Sequence, residues 1–331
     1  MSYKTDLRDR KLLYELDIDS RQSYKALAKK LKISENAIIY RIKELQKEGV
    51  IKGFHAIIDT GKLGYLAIHI YSNLENTTPE KEKEIVEFLK KQEIITWLTS
   101  VEGNYNLSAT ILTKSLADVN NLWRETMKKY INYFDKRLMT ITTRLSFYGR
   151  AYLLDSPKNR FSRDLITEPK NDYDPKIDKK DMEILKILAE NARAKIIDIA
   201  EKVKLTPKTI ISRIKTLENK KIIVGYTSFF DLTKIGYHRY KMNLLLSNLT
   251  KGKEEEFHLF VNEHPNIIFD HFVIGGDDLE IELEVKNHDE LRKIIDELRE
   301  KFSDIIKDHS VMQYYQEHKN VFFPIKHFNS L

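Results

Sequence analysis

The sequence of 331 residues is 41% hydrophobic and 32% charged, a composition typical of globular proteins that argues against a disordered or fibrous chain. It contains no cysteine, which excludes disulfides, thiolate metal ligands and cysteine nucleophiles. The N-terminus lacks an apolar signal core, and no apolar run approaches the roughly 18 residues that a membrane helix needs. We therefore expect a cytoplasmic protein with no membrane partner.

The formal net charge of +6 is unevenly distributed. Residues 1–54 hold 13 Lys or Arg against 8 Asp or Glu, a net +5, and residues 176–226 hold 13 against 7, a net +6. The remainder then holds 30 basic and 35 acidic residues, a net −5. Lysines whose only role is to keep helices hydrated would not be concentrated in two separate segments of the chain. The pattern indicates two segments that bind a polyanion, and double-stranded DNA is the predicted partner.

An internal repeat accounts for this charge pattern. Shifted by 172 residues, positions 9–65 align without a gap on positions 181–237, with identities such as Arg41 and Arg213 or Gly64 and Gly236. A gapless match of that length predicts two copies of one unit in the chain.

Each copy begins with a pattern typical of a helix-turn-helix. Two amphipathic helices are followed by a very short turn and a third helix, which starts at Ser34 or Thr206, residue types that cap helices. The third helix has one apolar stripe, and its opposite face is polar and basic. Such side chains reach phosphates and base edges. The residues that we predict to contact DNA are Asn36, Tyr40, Arg41 and Lys43 in the first copy and Lys208, Thr209, Ser212, Arg213 and Lys215 in the second.

After each third helix the pattern becomes extended, as expected of a wing or a linking strand, and then follows the order β-α-β-β-α-β. This order predicts a ferredoxin-like domain, a four-stranded antiparallel sheet with both helices on one face. The fold class is therefore α+β, with two copies of a winged or simple helix-turn-helix domain followed by a ferredoxin-like domain. The uncovered sheet face needs a partner, and we expect the other copy's sheet to provide it. Surface left over after this intrachain pairing would allow further homo-oligomers.

The predicted boundaries follow these patterns. The first helix-turn-helix domain takes residues 1–58 and the first ferredoxin-like domain takes residues 59–152. Residues 153–176, with three prolines and no apolar periodicity, form the predicted linker. The second helix-turn-helix domain takes residues 177–230 and the second ferredoxin-like domain takes residues 231–331, where we expect the phenylalanine-rich tail to fold back on the domain.

The chain resembles the Lrp/AsnC family of leucine-responsive, or feast/famine, regulators. The likeness rests on the following residues and their second-copy counterparts: Arg41, Ile42, Lys43, Leu45, Gly49, Val50, Ile51, Gly53, Phe54, Asp59, Leu63, Gly64 and Tyr65. It implies a transcription regulator whose ferredoxin-like domain pairs subunits and senses an amino acid or a related molecule. Members of the family usually have one unit per chain and dimerise, whereas this chain has two units.

The resemblance also implies a position for an effector site. The family builds this site around a G-[DN]-Y-D type turn, and the first copy keeps a version of the turn at Gly103, Asn104, Tyr105 and Asn106. The second copy has Gly275, Gly276, Asp277 and Asp278, without the tyrosine. We therefore place the expected effector site in the first copy.

Other chemistry has little support in the sequence. No phosphate-binding loop, nucleophile elbow or zinc-protease motif is present, and the histidines at positions 258, 264 and 271 lack the spacing of a metal site. We predict no enzyme activity, no metal and no cofactor. Two alternatives stay open: a tetrapyrrole enzyme similar to sirohaem decarboxylases, which also resemble Lrp/AsnC proteins, and a sensor module that does not bind DNA.

The two recognition faces differ in sequence. Asn36 and Tyr40 in the first copy correspond to Lys208 and Ser212 in the second. If both copies bind DNA, we expect two half-sites about one helical turn apart, or a multiple of it, in an imperfect palindrome or an asymmetric operator.

Overall fold

The computed structural model describes residues 3–154, 162–165, 176–321 and 323, with the backbone alone for 162–165. The fold is α+β, as predicted. The first copy contains α1 (Leu7–Ile18), α2 (Tyr24–Leu31), α3 (Glu35–Lys47), β1 (Ile51–Ile58), β2 (Leu66–Leu74), α4 (Pro79–Lys90), β3 (Ile95–Glu102), β4 (Leu107–Thr113), α5 (Leu116–Tyr130) and β5 (Phe134–Tyr148).

A short strand, β6 (Ser162–Leu165), follows and pairs with the end of β5. The second copy contains α6 (Lys179–Glu190), α7 (Ile196–Val203), α8 (Pro207–Asn219), β7 (Ile223–Phe230), β8 (His238–Leu246), α9 (Lys251–Glu263), β9 (Ile267–Ile274), β10 (Leu279–Val285), α10 (His288–Lys301) and β11 (Ile306–Asn320). Each of these begins 172 residues after its counterpart, so the repeat extends through the whole unit.

The helix-turn-helix corners have the same backbone geometry in both copies. The residues that follow α2 and α7, Lys32 and Lys204, both adopt the left-handed conformation, with φ of 54° and 58°. Lys221 stands where the first copy has Gly49. It adopts a φ of 55°, close to the 73° of Gly49, so the turns after α8 and α3 have the same backbone geometry. A lysine tolerates this conformation at a cost of about 1 kcal/mol relative to glycine.

The extended segments after the recognition helices connect the two copies. Strand β1 pairs antiparallel with β7 in a separate two-stranded sheet. One hydrophobic core contains the helices of both helix-turn-helix units together with residues of both strands. The two units are therefore parts of a single packed body.

Contacts between the two units are reciprocal. The Arg21 side chain donates to the Ala192 carbonyl, and the Arg193 side chain donates to the Ser20 carbonyl at 2.6 Å. The Ala192 N–H donates to the Phe54 carbonyl. The Ser20 N–H donates to the carbonyl of Tyr226, which is the counterpart of Phe54 in the second copy. An interface in which position i contacts j and j contacts i has two-fold character. The recognition helices are therefore related by an approximate two-fold axis.

The two ferredoxin-like sheets join edge to edge as well as face to face. The long strand β5 pairs with β2 of its own copy and then with β9 of the other, and β11 does the same with β8 and β3. The strand order β5-β2-β4-β3-β11-β8-β10-β9 returns to β5. The sheets therefore close into an eight-stranded barrel, in which each copy does serve as the other's partner.

The helices lie outside this barrel. Helices α4 and α5 pack on the first copy's strands in one apolar core, and α9 and α10 pack on the second copy's strands in another. Among the residues that the structure describes, no helix is both long and apolar enough to cross a membrane. Of the tail, Phe323 is buried in the helix-turn-helix core, and residues 324–331 lie outside the described residues. Most of the predicted linker, residues 155–161 and 166–175, also lies outside them.

Candidate nucleic-acid interface and ligand pocket

The first recognition helix, α3, exposes most of the predicted DNA-binding residues. Ser34 caps its start by accepting from the Ala37 N–H at 3.2 Å. The stripe Ile38, Ile42 and Leu45 is buried. Asn36, Tyr40 and Lys43 point to solvent, and Tyr40 keeps 65% of its surface exposed.

The second recognition helix, α8, has the same arrangement with different chemistry. Thr206 caps it by accepting from the Thr209 N–H at 3.2 Å, and the Thr209 hydroxyl lies 2.8 Å from that of Thr206. Lys208, Ser212 and Lys215 are exposed, whereas Thr209 is half-buried. The structure therefore leaves a basic outer face on each recognition helix.

Arg41 and Arg213 have partners within the protein. The Arg41 guanidinium lies 2.5 Å from an Asp9 oxygen and 2.9 Å from Asp6, at the capped start of α1. Arg213 makes the equivalent ion pairs with Asp178 at 2.9 Å and Asp181 at 2.8 Å. These arginines tie each recognition helix to the first helix of its unit. Their contact with DNA stays a prediction, and the geometry gives them a structural role first.

The pKa of Asp6 reflects this ion pair. Partial burial acts to raise that pKa, but hydrogen bonds from the Asp9 N–H and from Arg41 hold it below its ordinary value. The pKa of Asp178 is lowered in the same way by Asp181 and Arg213.

We expect Arg41→Ala to lower the free energy of unfolding by about 1–2 kcal/mol, because it leaves the largely buried Asp9 carboxylate without its charged partner. Urea denaturation measures this change. Lys43→Ala, an exposed substitution on the same helix, is the control and should stay within about 0.5 kcal/mol of the parent. Equal stabilities of the two variants would contradict the structural role. Loss of DNA binding in Arg41→Ala alone would therefore not identify a DNA contact.

The turn predicted to bind an effector, between β3 and β4, borders an open depression. Gly103 has a φ of 148°, and a Cβ there would lie 2.6 Å from the Val311 carbonyl oxygen of β11. Glycine therefore lets the turn pack against the other copy. The depression has a volume of about 420 Å³ and is lined by Val101, Glu102, Gly103, Tyr105, Asn106 and Tyr315.

The four residues of that turn have different roles. Asn104 is exposed, and the Tyr105 ring packs on Tyr71 with ring centroids 5.7 Å apart. The Asn106 side chain accepts from the Leu74 N–H and donates to the Leu74 carbonyl, so it fastens the turn to β2. Asp278 accepts from the Leu246 N–H at the equivalent place in the second copy. Asn106 and Asp278 are therefore turn anchors.

A buried charged network fills the barrel interior, and sequence reasoning missed it. The Lys241 ammonium, fully buried, lies 2.6 Å from a Glu280 oxygen and 3.6 Å from Glu282. The Tyr71 hydroxyl and His69 Nδ1 contact the same Glu280 oxygen at 2.9 and 3.1 Å. Burial acts to raise the pKa of Glu280, but the Lys241 charge and the hydrogen bond to His69 hold it well below its ordinary value. The only signal was Glu at every second position of β10, a pattern that usually indicates a solvent-facing side.

His69, His271 and Glu280 place three atoms capable of binding a metal within 4.8 Å of one another. Lys241 already supplies a cation to this group, and the contacted Glu280 oxygen accepts from Tyr71 and His69 as well. Thr140 donates to the other oxygen at 3.2 Å. This carboxylate is therefore already satisfied, and the arrangement fits an ion-pair network better than a metal centre.

A second buried cluster joins the first helix-turn-helix unit to the barrel. The Arg150 side chain pairs with Asp17 of α1 at 2.5 Å and with Glu284 of β10 at 2.8 Å, and Tyr152 donates to Glu284. Burial raises the pKa of Asp17 and outweighs the attraction of Arg150. The Glu284 carboxylate, which shares the Arg150 cation, also acts to raise that pKa. The positions 172 residues away from Asp17 and Glu284 are Ala189 and Leu112, which belong to the apolar core. Among the described residues, this charged connection to the first unit therefore has apolar counterparts at the second.

Comparison with known proteins agrees with this architecture. A family model described as winged helix-turn-helix DNA-binding matches residues 5–52 and 177–224. The chain is 35% identical over 117 residues to the HTH-type transcriptional regulator LrpA of Pyrococcus horikoshii, an alignment that covers 35% of this chain and 82% of LrpA. It is 28% identical over 120 residues to the regulatory protein AsnC of Haemophilus influenzae, covering 36% of this chain and 79% of AsnC.

A solved structure resembles the whole chain. The sirohaem decarboxylase NirDL superposes with a TM-score of 0.63 over 97% of this chain and 94% of its own, at 12% identity, a likeness that concerns the fold alone. The sequence relatives, by contrast, align over 117 and 120 residues, less than half of this chain. The chain belongs to the Lrp/AsnC family and contains two of that family's units in tandem.

Proposed function

We propose that this protein is a cytoplasmic, sequence-specific DNA-binding transcription regulator that uses both helix-turn-helix units of one chain. The observation that carries the proposal is the reciprocal interface between the units, which presents two basic recognition faces related by an approximate two-fold axis. Duplex DNA offers matching geometry, since its two strands are related by two-fold axes and its major groove admits one helix per half-site. The excess positive charge of both segments supports the same partner.

Electrostatics supply the first test of this function. We expect binding to a selected DNA site to weaken steeply as salt rises, because lysines that neutralise phosphates release counterions. Lys43→Ala and Lys215→Ala should each reduce the slope of log affinity against log salt by about 1. The matched control is Lys83→Ala, which removes an exposed charge from α4 on the barrel and should leave the slope unchanged.

Selection from a random DNA library with the full chain, followed by these salt titrations, tests the proposal. An enriched site whose affinity responds to Lys43 and Lys215 but not to Lys83 supports it. If no sequence is enriched and the salt response is flat, the regulator proposal is wrong.

We further propose that the depression at Tyr105 binds a small effector, an amino acid or a related molecule. Its support is the resemblance of the turn and the open volume beside it. Repeating the DNA titration with individual amino acids, in the parent chain and in Tyr105→Ala, tests this part. An effect on DNA affinity that persists unchanged in Tyr105→Ala would place the effector elsewhere.

One alternative has a specific observation in its favour, the fold likeness to sirohaem decarboxylase over nearly the whole chain. On that proposal the purified protein would carry or bind a tetrapyrrole, which its visible absorption would reveal. The basic faces of both recognition helices favour the regulator, since an enzyme of that kind has no need of them.

A further inference from the structure

The two recognition helices have equivalent lengths, caps and buried stripes, but several of their outward-facing side chains differ. Both helices span thirteen residues, begin after a capping hydroxyl and bury the same apolar stripe. Their units are held in one core by reciprocal contacts. The backbone therefore presents equivalent positions to equivalent places on two-fold related DNA. Any difference in what the two helices recognise must come from their side chains.

Two exposed positions in the first two turns carry side chains of different chemistry, and a third carries the same residue with a different exposure. In the first turn, Asn36 of α3 stands where α8 has Lys208, and one turn later Tyr40 stands where α8 has Ser212. The third position is Ile211, which keeps 45% of its surface exposed. Its counterpart Ile39 is half-buried and lies beside the large Tyr40. An isoleucine that is this exposed, beside a serine on a polar helix face, does not contribute to the hydrophobic core.

The chemistry of these side chains differs in a way that DNA can distinguish. The N-terminal part of a recognition helix is the part that contacts base edges in the major groove. Asparagine suits the donor and acceptor pair of adenine, lysine suits the two acceptors of guanine, and an apolar side chain suits the thymine methyl group. All three positions lie within the first two turns of their helices.

We propose that the two units read unlike half-sites in inverted orientation: one in which Asn36 and Tyr40 specify an adenine-containing sequence, and one in which Lys208 and Ile211 specify guanine and a thymine methyl group. The inference rests on the proposed function and adds the identity of the specificity residues, including Ile211. A single chain then binds its operator in one orientation only. A protein made of two identical subunits has no such polarity.

Exchanging the side chains tests the inference. Asn36→Lys combined with Tyr40→Ser gives the first helix the second helix's residues at these positions, and none of the exchanged side chains makes a hydrogen bond or ion pair described for the protein. Library selection with the full chain should then recover an inverted repeat of the second half-site. The reverse exchange, Lys208→Asn with Ser212→Tyr, should recover an inverted repeat of the first. On the parent operator each exchanged chain should bind at least about tenfold more weakly, as expected for one mismatched base contact or more.

Two single variants refine the test. Ile211→Ala should remove a thymine preference at one position of the second half-site and leave the first unchanged. Lys47→Asn, which copies Asn219 at the C-terminal end of the helix, is the control and should leave the selected sequence unchanged. Both are compared with the parent chain in the same selection.

The outcomes separate the inference from the function on which it rests. A parent chain that selects a perfect palindrome, or exchanged chains that select the parent sequence, would overturn the inference alone. Failure of the parent chain to enrich any DNA would overturn the proposed function and the inference with it. A thymine preference that survives in Ile211→Ala would remove Ile211 from the specificity residues and leave its exposed surface to a protein partner.

Discussion

Replacing Arg150 with methionine is expected to lower the free energy of unfolding by about 3–5 kcal/mol, the usual cost of removing one partner from a buried ion pair. The guanidinium is buried and makes charged hydrogen bonds with both Asp17 and Glu284. Without it, two buried carboxylates from different parts of the molecule lose their shared cation. Urea denaturation of the parent and variant measures the loss.

The matched control is Arg292→Met on α10. Arg292 pairs with Asp296 at 3.4 Å, but both side chains are more than half exposed. Exposed pairs of this kind contribute about 0–1 kcal/mol. A deficit in Arg150→Met no larger than that of the control would show that the Arg150 cluster does not hold α1 to the barrel.

Arg150→Met also tests the connection between the first helix-turn-helix unit and the barrel. Arg150 follows β5, Asp17 lies in the first helix-turn-helix unit and Glu284 lies in the second copy's sheet. The equivalent place on the other side is apolar. Amide hydrogen exchange of Arg150→Met should therefore rise in α1 more than in α6, because only α1 loses a buried connection to the barrel.

The sequence predicted the local elements well because their signals are local. The starts of α3 and α8 follow from Ser34 and Thr206, whose caps act within three residues. The repeat reinforced each assignment, since the same pattern occurred twice with the same spacing. The β-α-β-β-α-β order followed from alternation and from helical periodicity in the same manner.

Long-range partners were the part that the sequence did not reveal. Arg41 and Asp9 are 32 positions apart, and a basic residue on a recognition helix is typical of a DNA contact as well as of an ion pair. The closure of the barrel depends on β5 and β11 extending past their own sheets, which nothing in their composition indicates. Pairing of β1 with β7 likewise depends on the other copy.

The charged barrel interior is the clearest case of a misleading local signal. Glu280, Glu282 and Glu284 alternate with apolar residues, which is typical of a strand with one face in water. All three are nonetheless buried, because the partners that satisfy them come from other strands and from the other copy. Burial of such groups is decided by tertiary pairing, and a single strand does not encode it.

Replacing Lys241 with methionine is expected to cost a similar amount at neutral pH, about 3–5 kcal/mol, because the Glu280 carboxylate is left buried without its nearest cation. The loss should depend on pH. In the parent, the lowered pKa values of Glu280 and Glu282 mean that their stabilisation is complete above the ordinary carboxyl pKa of 4.5 and is lost as pH falls through the lowered values. Acid therefore weakens the parent.

The variant should respond to acid in the opposite direction. Without Lys241, burial would raise the pKa of Glu280, so the cost of its charge applies above that raised value and disappears as pH falls through it. His69, whose pKa is lowered by burial and by the Lys241 charge, would also bind a proton more readily and replace the missing cation. Urea denaturation at pH 7 and pH 5 should thus show a smaller deficit at pH 5. The double variant Lys241→Met with Glu280→Gln, which removes both charges, should recover part of the stability at pH 7 and lose this pH dependence. A deficit that is equal at both pH values would mean that the network is not held together by the charge of Lys241.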